Sequence, residues 1–326
     1  MAKIDKNLIF LYSENARFRV NDLSKFLKKS PQRLKYALSV LKKESIILYP
    51  HSIIDYSYFG LILFRIYFKG GYIGEKDRSN IISKLNENNY ITSIYELSGE
   101  FDLAIEIISP NPSRFNKEFK KIITDLPTLN NYKIILNLVT HIYPRFYMTK
   151  NIEFFTQAPH EIIIGGDREV EDFTDKELLV IKSLLINPQI RFTHLAKESN
   201  LNIKTAMSII KNLKKRKIIK GFKCIVSVEK LDLFRFRLFL KLHNLSSERE
   251  EELMTYLLKT KEIIQVNKTI GDWDIEIDLE TLEKAKVRQM IIELRETFKD
   301  IIEGFDNIEF YRYYKKSFLP LYLFEK

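Results

Sequence analysis

The chain has 326 residues, of which 45% are hydrophobic and 29% are charged. This composition is typical of a globular protein and excludes a disordered one, and the length predicts two to four domains. No apolar run approaches the roughly 18 residues that a membrane-spanning helix needs, and residues 1–6 lack the apolar core of a secretory signal. We therefore expect a soluble, cytoplasmic protein with no membrane partner. The single cysteine, Cys224, excludes an intrachain disulfide and a cysteine-based metal site.

The net charge is +10, and its distribution along the chain is uneven. Residues 151–173 contain one basic and six acidic residues, whereas the segments on either side are both basic. A basic protein often binds a polyanion, although net charge alone does not identify the partner. The acidic segment marks a connector between two basic halves.

The sequence repeats itself at an offset of 172 residues. This shift carries Leu41-Lys42-Lys43 onto Leu213-Lys214-Lys215 and Phe64-Arg65 onto Phe236-Arg237. It also carries Gly99 onto Gly271 and Asp102 onto Asp274 without a gap. Ordered matches of this kind indicate a duplicated module.

The start of each copy has the pattern of a winged helix-turn-helix. Residues 5–13 and 20–27 are predicted short helices, and Ser30-Pro31 is a helix-start signal because serine caps free amides and proline suits the first helical position. Apolar residues then recur with helical spacing from Leu34 to Leu41. Residues 46–54 are predicted to form a short hairpin, and the second copy follows the same pattern from its cap, Asn202.

The rest of each copy is predicted to fold as strand, helix, strand, strand, helix, strand, the ferredoxin-like order. Two helices would cover one face of such a sheet, and we expect its other, apolar face to pack on the other copy. The predicted strands are 61–68, 91–97, 101–108 and 133–141 in the first copy, and 233–242, 263–269, 273–279 and 307–313 in the second. The predicted helices are 75–88, 115–126, 247–259 and 282–298.

The predicted organisation is therefore α+β, with five segments. They are a winged helix-turn-helix at 1–56, a βαββαβ domain at 57–144, the acidic connector at 145–173, a second winged helix-turn-helix at 174–228 and a second βαββαβ domain at 229–326. Within the connector, Phe154-Phe155 and Ile162-Ile163-Ile164 are predicted strands. We expect the connector and the apolar tail 318–324 to pack on the domains.

This arrangement resembles the Lrp/AsnC family of feast/famine transcriptional regulators. The residues that carry the resemblance are Asp5, Asn15-Ala16-Arg17, Leu23, Ser30, Leu34, Leu38, Leu41, Ile46-Ile47, Gly99-Glu100-Phe101-Asp102 and Gly271-Asp272-Trp273-Asp274. The likeness covers nearly the whole chain, twice. This chain departs from the family at Ala37 and Ile209, where an arginine is usual, and at Ser45 and Lys217, where a glycine is usual.

The resemblance implies a regulator that binds double-stranded DNA. Residues 23–43 contain seven basic residues and no acid, and residues 197–223 contain nine against Glu198 alone. In helix-turn-helix proteins the start of the recognition helix contacts bases while flanking cations contact phosphates. We predict base contacts from Gln32, Arg33, Tyr36, Lys204, Thr205 and Ser208, and phosphate contacts from Lys28, Lys29, Lys43, Lys211, Lys214 and Arg216. The alternative is that these are ordinary solvated helix faces.

The resemblance also implies an amino-acid-like effector bound near the turns that hold Gly99, Asp102, Gly271 and Asp274. The alternative is local, because glycine permits a tight turn and aspartate hydrogen-bonds nearby backbone. Trp273 lies in the same motif and is either a reporter of the ligand or a core residue.

No catalytic motif is apparent, and we expect neither an enzyme nor a cofactor. The five histidines lack metal-ligand spacing, and the loop at 70–74 matches no phosphate-binding fingerprint. One enzymatic alternative is open, because sirohaem decarboxylases resemble the same paired module. The predicted strands 91–97 and 263–269 hold no histidine or arginine to contact a tetrapyrrole. A third alternative is a ligand-sensing or assembly protein that has lost DNA binding.

Single-module members of the family act as symmetric dimers, so the duplication predicts a pseudo-dimer within one chain. Because the two recognition helices differ in sequence, we expect an asymmetric operator. Further assembly into a homo-oligomer is also expected.

Overall fold

The computed structural model describes residues 5–70, 74–157, 161–244 and 246–325. The predicted loop at 70–74 therefore lies largely outside the described residues, as does His160. Both helix-turn-helix units are present at the predicted places. Their elements are α1 (Lys6–Glu14), α2 (Val20–Leu27), α3 (Pro31–Lys43) and β1 (Ile47–Ile54) in the first unit, and α6 (Asp175–Ile186), α7 (Phe192–Glu198), α8 (Ile203–Lys215) and β7 (Ile219–Val226) in the second.

Side-chain caps fix where the helices begin. Ser30 accepts a hydrogen bond from the backbone N–H of Arg33, and Pro31 occupies the first position of α3. Asn202 accepts from the N–H of Thr205 at 2.7 Å, so it replaces serine as the cap of α8. Both predicted caps are confirmed. Each satisfies an amide that has no partner within the helix.

The predicted hairpin at 46–54 is wrong. These residues form one strand, β1, which pairs antiparallel with β7 of the second unit, placing His51 opposite Lys223. The turn before each strand is left-handed, with φ of 55° at Ser45 and 60° at Lys217. These are the two positions where the family usually has glycine, the residue that adopts this conformation most easily. A strand without a hairpin partner finds its hydrogen-bonding partner in the other unit.

The two helix-turn-helix units are interleaved, because helices α1 and α6 each contact the strand of the other unit. The backbone N–H of Ala16 donates to the Phe222 carbonyl at 2.9 Å, and the Ser52 hydroxyl donates to the Leu184 carbonyl at 2.7 Å. One shared apolar core runs through both units. The pair is therefore a single body within one chain.

Both βαββαβ units have the predicted order, so the fold class is confirmed. The first comprises β2 (Ile62–Phe68), α4 (Glu75–Glu87), β3 (Ile91–Ser98), β4 (Leu103–Ser109), α5 (Pro112–Asp125) and β5 (Tyr132–Ile142). The second comprises β8 (Phe234–Leu242), α9 (Ser247–Lys259), β9 (Ile263–Ile270), β10 (Ile275–Thr281), α10 (Lys284–Thr297) and β11 (Ile302–Lys316).

The two four-stranded sheets join at both edges. Strand β5 pairs with β9, and β11 pairs with β3, so that eight antiparallel strands close into a ring. The helices pack on the outer faces over two separate apolar cores. The inner faces of the two sheets therefore face each other, as predicted.

The connector and the tail both pack on the domains. In the connector, the prediction of a strand at Phe154-Phe155 is wrong, because Ile152–Gln157 is a 3-10 helix. The prediction at 162–164 is confirmed by β6 (Ile162–Gly165), which pairs with β5. In the tail, Phe318 and Leu319 are buried. Across the described residues, we find no helix with the length and apolar character required to cross a membrane.

Candidate functional site

Helices α3 and α8 expose the residues that were predicted to contact bases. Gln32 and Arg33 lie in the exposed first turn of α3, and the Tyr36 side chain is 73% exposed. Lys204 and Ser208 are exposed on α8, whereas Thr205 is half-buried at the cap. Neither helix contains an acidic residue. The recognition helices themselves therefore carry no acidic side chain that would repel a phosphate.

The predicted phosphate contacts divide into two groups. Lys28, Lys43 and Lys211 are exposed. Lys29 instead forms an ion pair with Asp5, the cap of α1. Lys214 is also exposed, but its ammonium lies 5.3 Å from the centre of the Phe222 ring, where partial burial lowers its pKa.

Arg216 is held by the acidic connector. Its guanidinium binds Glu171 and, at 2.6 Å, Glu177, and it stacks 5.5 Å from the centre of the Phe173 ring. The connector thereby neutralises one of the cations predicted to contact DNA.

Two further cations of the second basic cluster also face inward. Lys223 is buried on β7, where it binds Glu14 and donates to the Tyr143 carbonyl at 3.3 Å. Lys220 lies 3.3 Å from the buried carboxylate of Asp55. The basic surface around α8 is therefore smaller than its sequence indicated, because β7 enters the core between the units.

The two recognition helices are fixed relative to each other by contacts between the units. Gln189 donates to the Tyr12 hydroxyl and to the Ala16 carbonyl, both at 2.7 Å, and accepts from Lys42 at 3.0 Å. Arg17 donates to the Pro188 carbonyl at 2.8 Å. Preorganisation of this kind lowers the entropic cost of binding at two places at once.

The predicted effector residues lie at the joints between the two sheets. Gly99 and Gly271 have φ of 125° and 148°. The positive φ favours glycine at 271, and a Cβ there would come within 2.8 Å of the Ile135 Cδ1 atom, which would have to move. Gly99 lies against Ile308 in the corresponding way.

Both aspartates hold local backbone. Asp102 accepts from the N–H of Gly70 at 2.5 Å, and Asp274 accepts from the N–H of Leu242 at 2.8 Å. Gly70 and Leu242 are themselves related by the 172-residue repeat. Trp273 is half-buried and stacks on Phe239. These contacts supply the local role that was the alternative to effector binding.

The inner faces of the sheets carry an apolar cluster that includes Tyr95 and Phe239, as expected, and beside it a buried charged cluster that was not predicted. Arg65 donates to Glu106 at 2.9 Å and also binds Glu276. Arg237, its repeat mate, donates to Asp278 at 2.6 Å. All five charged side chains are at most 4% exposed. Buried charges require such pairing, because desolvation costs several kcal/mol per ion.

The cluster continues towards the helix-turn-helix units around a small cavity. Arg145 bridges Glu14 and Glu280 at 3.3 and 2.8 Å. The cavity measures about 40 Å³, which is room for one or two water molecules. Its lining includes His51, Arg145, Lys223, Arg235 and Lys316.

Burial is the largest cause of the pKa shifts of His51 and Lys316, which line this cavity. Burial, together with the nearby cations Lys316, Lys223 and Arg145, lowers the pKa of His51 to about 3. Burial also lowers the pKa of Lys316, against the opposing effect of Glu106. His51 is therefore neutral at physiological pH.

Sequence analysis missed this cluster although a signal was present. Arg65 and Glu106 each stand between apolar residues in a strand, and the repeat offset maps them onto Arg237 and Asp278. The strands expected to contact a tetrapyrrole, β3 and β9, hold no arginine or histidine at 91–97 and 263–269. The arginines lie instead on β2 and β8, at the centres of the two sheets.

A larger pocket, of about 350 Å³, lies on the outer side of the β5–β9 joint against α9. His141 and Glu161 meet there at 2.7 Å, and Lys268 and Glu250 meet at 2.5 Å. Met254 and Leu258 supply apolar surface. The pocket therefore offers both signs of charge beside an apolar wall, which suits a small zwitterion.

Comparison with models of known protein families and with curated protein sequences gives no match. Solved structures do match. The crystal structure of the siroheme decarboxylase NirDL superimposes with a TM-score of 0.58 at 11% sequence identity, over 97% of this chain and 94% of that one. The same enzyme in complex with an iron-uroporphyrin III analogue gives 0.57 at 13% identity, over 97% and 93%.

A transcriptional regulator from Neisseria meningitidis, in complex with L-Met, matches 47% of this chain and 99% of its own length, at 12% identity and a TM-score of 0.39. The full-length matches show the fold. The chain therefore has the fold of those siroheme decarboxylase structures, with two winged helix-turn-helix plus βαββαβ units in one polypeptide. Among the described residues, no three histidine, cysteine or acidic side chains are grouped to hold a metal ion.

Proposed function

We propose that the protein is a DNA-binding transcriptional regulator whose two recognition helices contact one double-stranded operator at two non-identical half-sites. The observation that carries this proposal is the exposure of acid-free helices α3 and α8 on one body. Arg33 suits guanine and Gln32 suits adenine, whereas α8 offers Lys204 and Ser208. Different side chains at equivalent places favour an asymmetric operator.

The proposal is tested with the full chain and a random pool of duplex DNA, from which bound sequences are selected and sequenced. We expect an enriched site with two dissimilar halves about one helical turn apart. Affinity for that site should fall with salt, with a log–log slope of about −0.9 per phosphate contact. The proposal would be refuted if no DNA sequence is enriched, or if the affinity does not change with salt concentration.

A matched pair of charge reversals locates the interface. The variant Arg33→Glu with Lys35→Glu changes the exposed face of α3. The control, Lys117→Glu with Lys120→Glu, makes the same charge change on the exposed side of α5. We expect the first variant to lose DNA binding and the second to retain it. Equal loss of DNA binding in both variants would show that binding depends on the net charge of the protein and not on the face of α3.

We further propose that an amino-acid-like effector binds in the pocket at the β5–β9 joint. A zwitterionic ligand would pair its ammonium with Glu250 and its carboxylate with Lys268, in place of the 2.5 Å ion pair that these side chains form with each other, and Ser247 provides a hydroxyl. Asp102 and Asp274 hold backbone amides of the turns, whereas Lys268 and Glu250 pair with each other and are 30% and 33% exposed, so a ligand reaches them without displacing backbone.

The effector proposal is tested by calorimetric titration with the twenty amino acids. Glu250→Gln should abolish binding of the responsive ligand, whereas Asp102→Asn should leave it intact. Loss of binding in Asp102→Asn with binding retained in Glu250→Gln would place the effector at the turn that holds Asp102. Operator binding measured with and without that ligand reports coupling between the sites.

A second candidate function is decarboxylation of an iron tetrapyrrole. It is favoured by the full-length likeness to NirDL and by the buried arginines, which could bind carboxylate groups. Each arginine of the inner cluster is already paired, however, and the interior cavity of about 40 Å³ is far smaller than a tetrapyrrole. Binding would require the closed ring to open.

Anaerobic titration with sirohaem separates the two candidates. Saturable binding with a shifted Soret band, followed by loss of carbon dioxide from the substrate, would establish the enzyme. Binding that leaves DNA affinity unchanged and yields no product would make the tetrapyrrole incidental. If neither DNA nor tetrapyrrole binds, a sensing or assembly protein is indicated.

A further inference from the structure

The internal repeat allows each joint of the closed sheet to be compared with its counterpart. Strand β5 pairs with β2 as far as Asn137 and then with β6 from Val139 to Ile142. Strand β11 pairs with β8 as far as Glu309, the position that corresponds to Asn137. Within the described parts of the chain, no strand pairs with this side of β11 beyond Glu309.

In the first copy the corresponding edge is covered by β6 through specific contacts. Ile162 and Ile164 are buried, the Gly165 N–H donates to the Asp55 carboxylate at 3.0 Å, and the Gly166 N–H donates to the Leu138 carbonyl at 2.8 Å. The first copy thus shows what a strand in this position looks like. It is short, extended and aliphatic.

In the second copy the same place is an open groove of about 270 Å³. Its floor and walls include Leu48, Ile225, Val228, Phe310, Tyr311 and Arg312. Tyr311 is 66% exposed, which is unusual for a large aromatic side chain on a strand. An exposed strand edge beside an apolar groove is the arrangement that accepts an added strand.

Charge in the groove indicates the chemistry of the occupant. Lys230 and Arg312 line it against Glu229, while the third cation, Arg235, pairs with Asp278 and Glu280 at 3.3 and 3.4 Å. Arg235 is buried, with its guanidinium 4.6 Å from the centre of the Phe310 ring. In the first copy the covering strand β6 is bounded by the acidic residues Glu161 and Asp167. A basic groove of this shape favours a peptide with the same acidic flanks.

We propose that the edge of β11 at residues 310–314 binds an extended, aliphatic peptide segment with acidic flanks, supplied by a partner protein, as an added antiparallel strand. The site repeats the β5–β6 pairing at the pseudo-equivalent position. It does not depend on whether the helix-turn-helix units bind DNA. Main-chain hydrogen bonds supply affinity in such complexes, and alternate side chains supply specificity.

The test uses the full chain and a fluorescent peptide with the sequence of residues 161–169. We expect fluorescence anisotropy to show saturable binding of the peptide. We also expect bound peptide to slow amide hydrogen exchange at residues 310–314 of the protein. A peptide carrying Ile162→Asn and Ile164→Asn should not bind. Arg312→Glu should weaken binding about ten-fold, while Arg288→Glu, an equal charge change on the exposed face of α10, should not.

Several outcomes would overturn the proposal. These are a lack of saturable binding, protection only outside residues 310–314, or equal weakening by Arg312→Glu and Arg288→Glu. Protection at 310–314 that grows with protein concentration, without peptide, would show that a second copy of this chain covers the edge instead. Because Arg312 is exposed, its variant is expected to fold, and unchanged thermal unfolding verifies this.

Discussion

His51 and Lys223 occupy the same position in the two repeats and lie opposite each other in the β1–β7 pair. Both are buried. One copy has placed a neutral imidazole there and the other an ammonium that binds Glu14. The central pairing between the two repeats is therefore asymmetric in charge.

Acid should destabilise the fold through His51. In the unfolded chain a histidine titrates near pH 6.5, whereas in the fold its pKa is about 3. Between these values the unfolded state binds the extra proton, so the free energy of unfolding decreases as pH falls, by up to about 1.4 kcal/mol per pH unit. The paired carboxylates Glu106 and Asp278, whose pKa values are lowered, add their own loss only below about pH 4.5.

Urea unfolding at pH 7, 6 and 5 measures this effect. His51→Gln should flatten the dependence over that range because its side chain does not titrate. The control His194→Gln alters an exposed histidine and should keep the original slope. An unchanged slope in His51→Gln would contradict the prediction.

Removing Arg65 should be strongly destabilising. Arg65→Met leaves Glu106 and Glu276 buried with one fewer cation, and breaking a buried pair in this way costs about 3–5 kcal/mol. Chemical denaturation measures the loss. The double variant with Glu106→Gln should lose less than the sum of the single changes, because the unpaired charge is removed. Additive losses would show that the two side chains do not interact.

The contacts of the acidic connector with Arg216 allow us to predict which cations contribute to DNA binding. Lys211→Ala should reduce the salt slope by about 0.9, since Lys211 is exposed on α8. Arg216→Ala should leave the slope unchanged because Glu171 and Glu177 already hold that guanidinium. The two variants remove one positive charge each and so control for one another. A smaller slope for Arg216→Ala would mean that the connector releases Arg216 on DNA.

Two adjacent glycines provide a test of how β6 docks. Both have positive φ, 84° at Gly165 and 81° at Gly166. A Cβ at Gly165 would lie 2.7 Å from the Leu138 carbonyl oxygen and 2.8 Å from the Tyr56 hydroxyl, whereas a Cβ at Gly166 meets nothing within 4 Å.

Gly166→Ala should therefore cost about 1–2 kcal/mol, the penalty of a left-handed backbone. Gly165→Ala should cost roughly 3 kcal/mol or more, because the steric clash adds to that penalty. Thermal or urea unfolding measures both. Equal losses would show that β6 has room to shift away from β5.

Patterns in the sequence were enough to predict the duplication, the capped starts of α3 and α8 and the ferredoxin-like order, whereas α5 begins at Pro112, three residues before the predicted start. These follow from local patterns, such as the Ser30 cap, the apolar spacing from Leu34 to Leu41 and the repeated offset, which act within one turn or one strand. The same local signals identified β6 through Ile162-Ile163-Ile164. The same kind of local signal failed at Phe154-Phe155. The aromatic residues there indicated a strand, but the chain forms a 3-10 helix.

Only the tertiary structure decided which strands pair and which charges are buried. β1 pairs with β7 across the two units, Arg216 is bound by Glu171 of the connector, and Arg65 meets Glu276 from the other copy. Each contact joins residues far apart in the chain, so no local pattern specifies it. A lysine on a recognition helix and a lysine in the core look alike in sequence, and only the neighbours brought by folding distinguish Lys211 from Lys223.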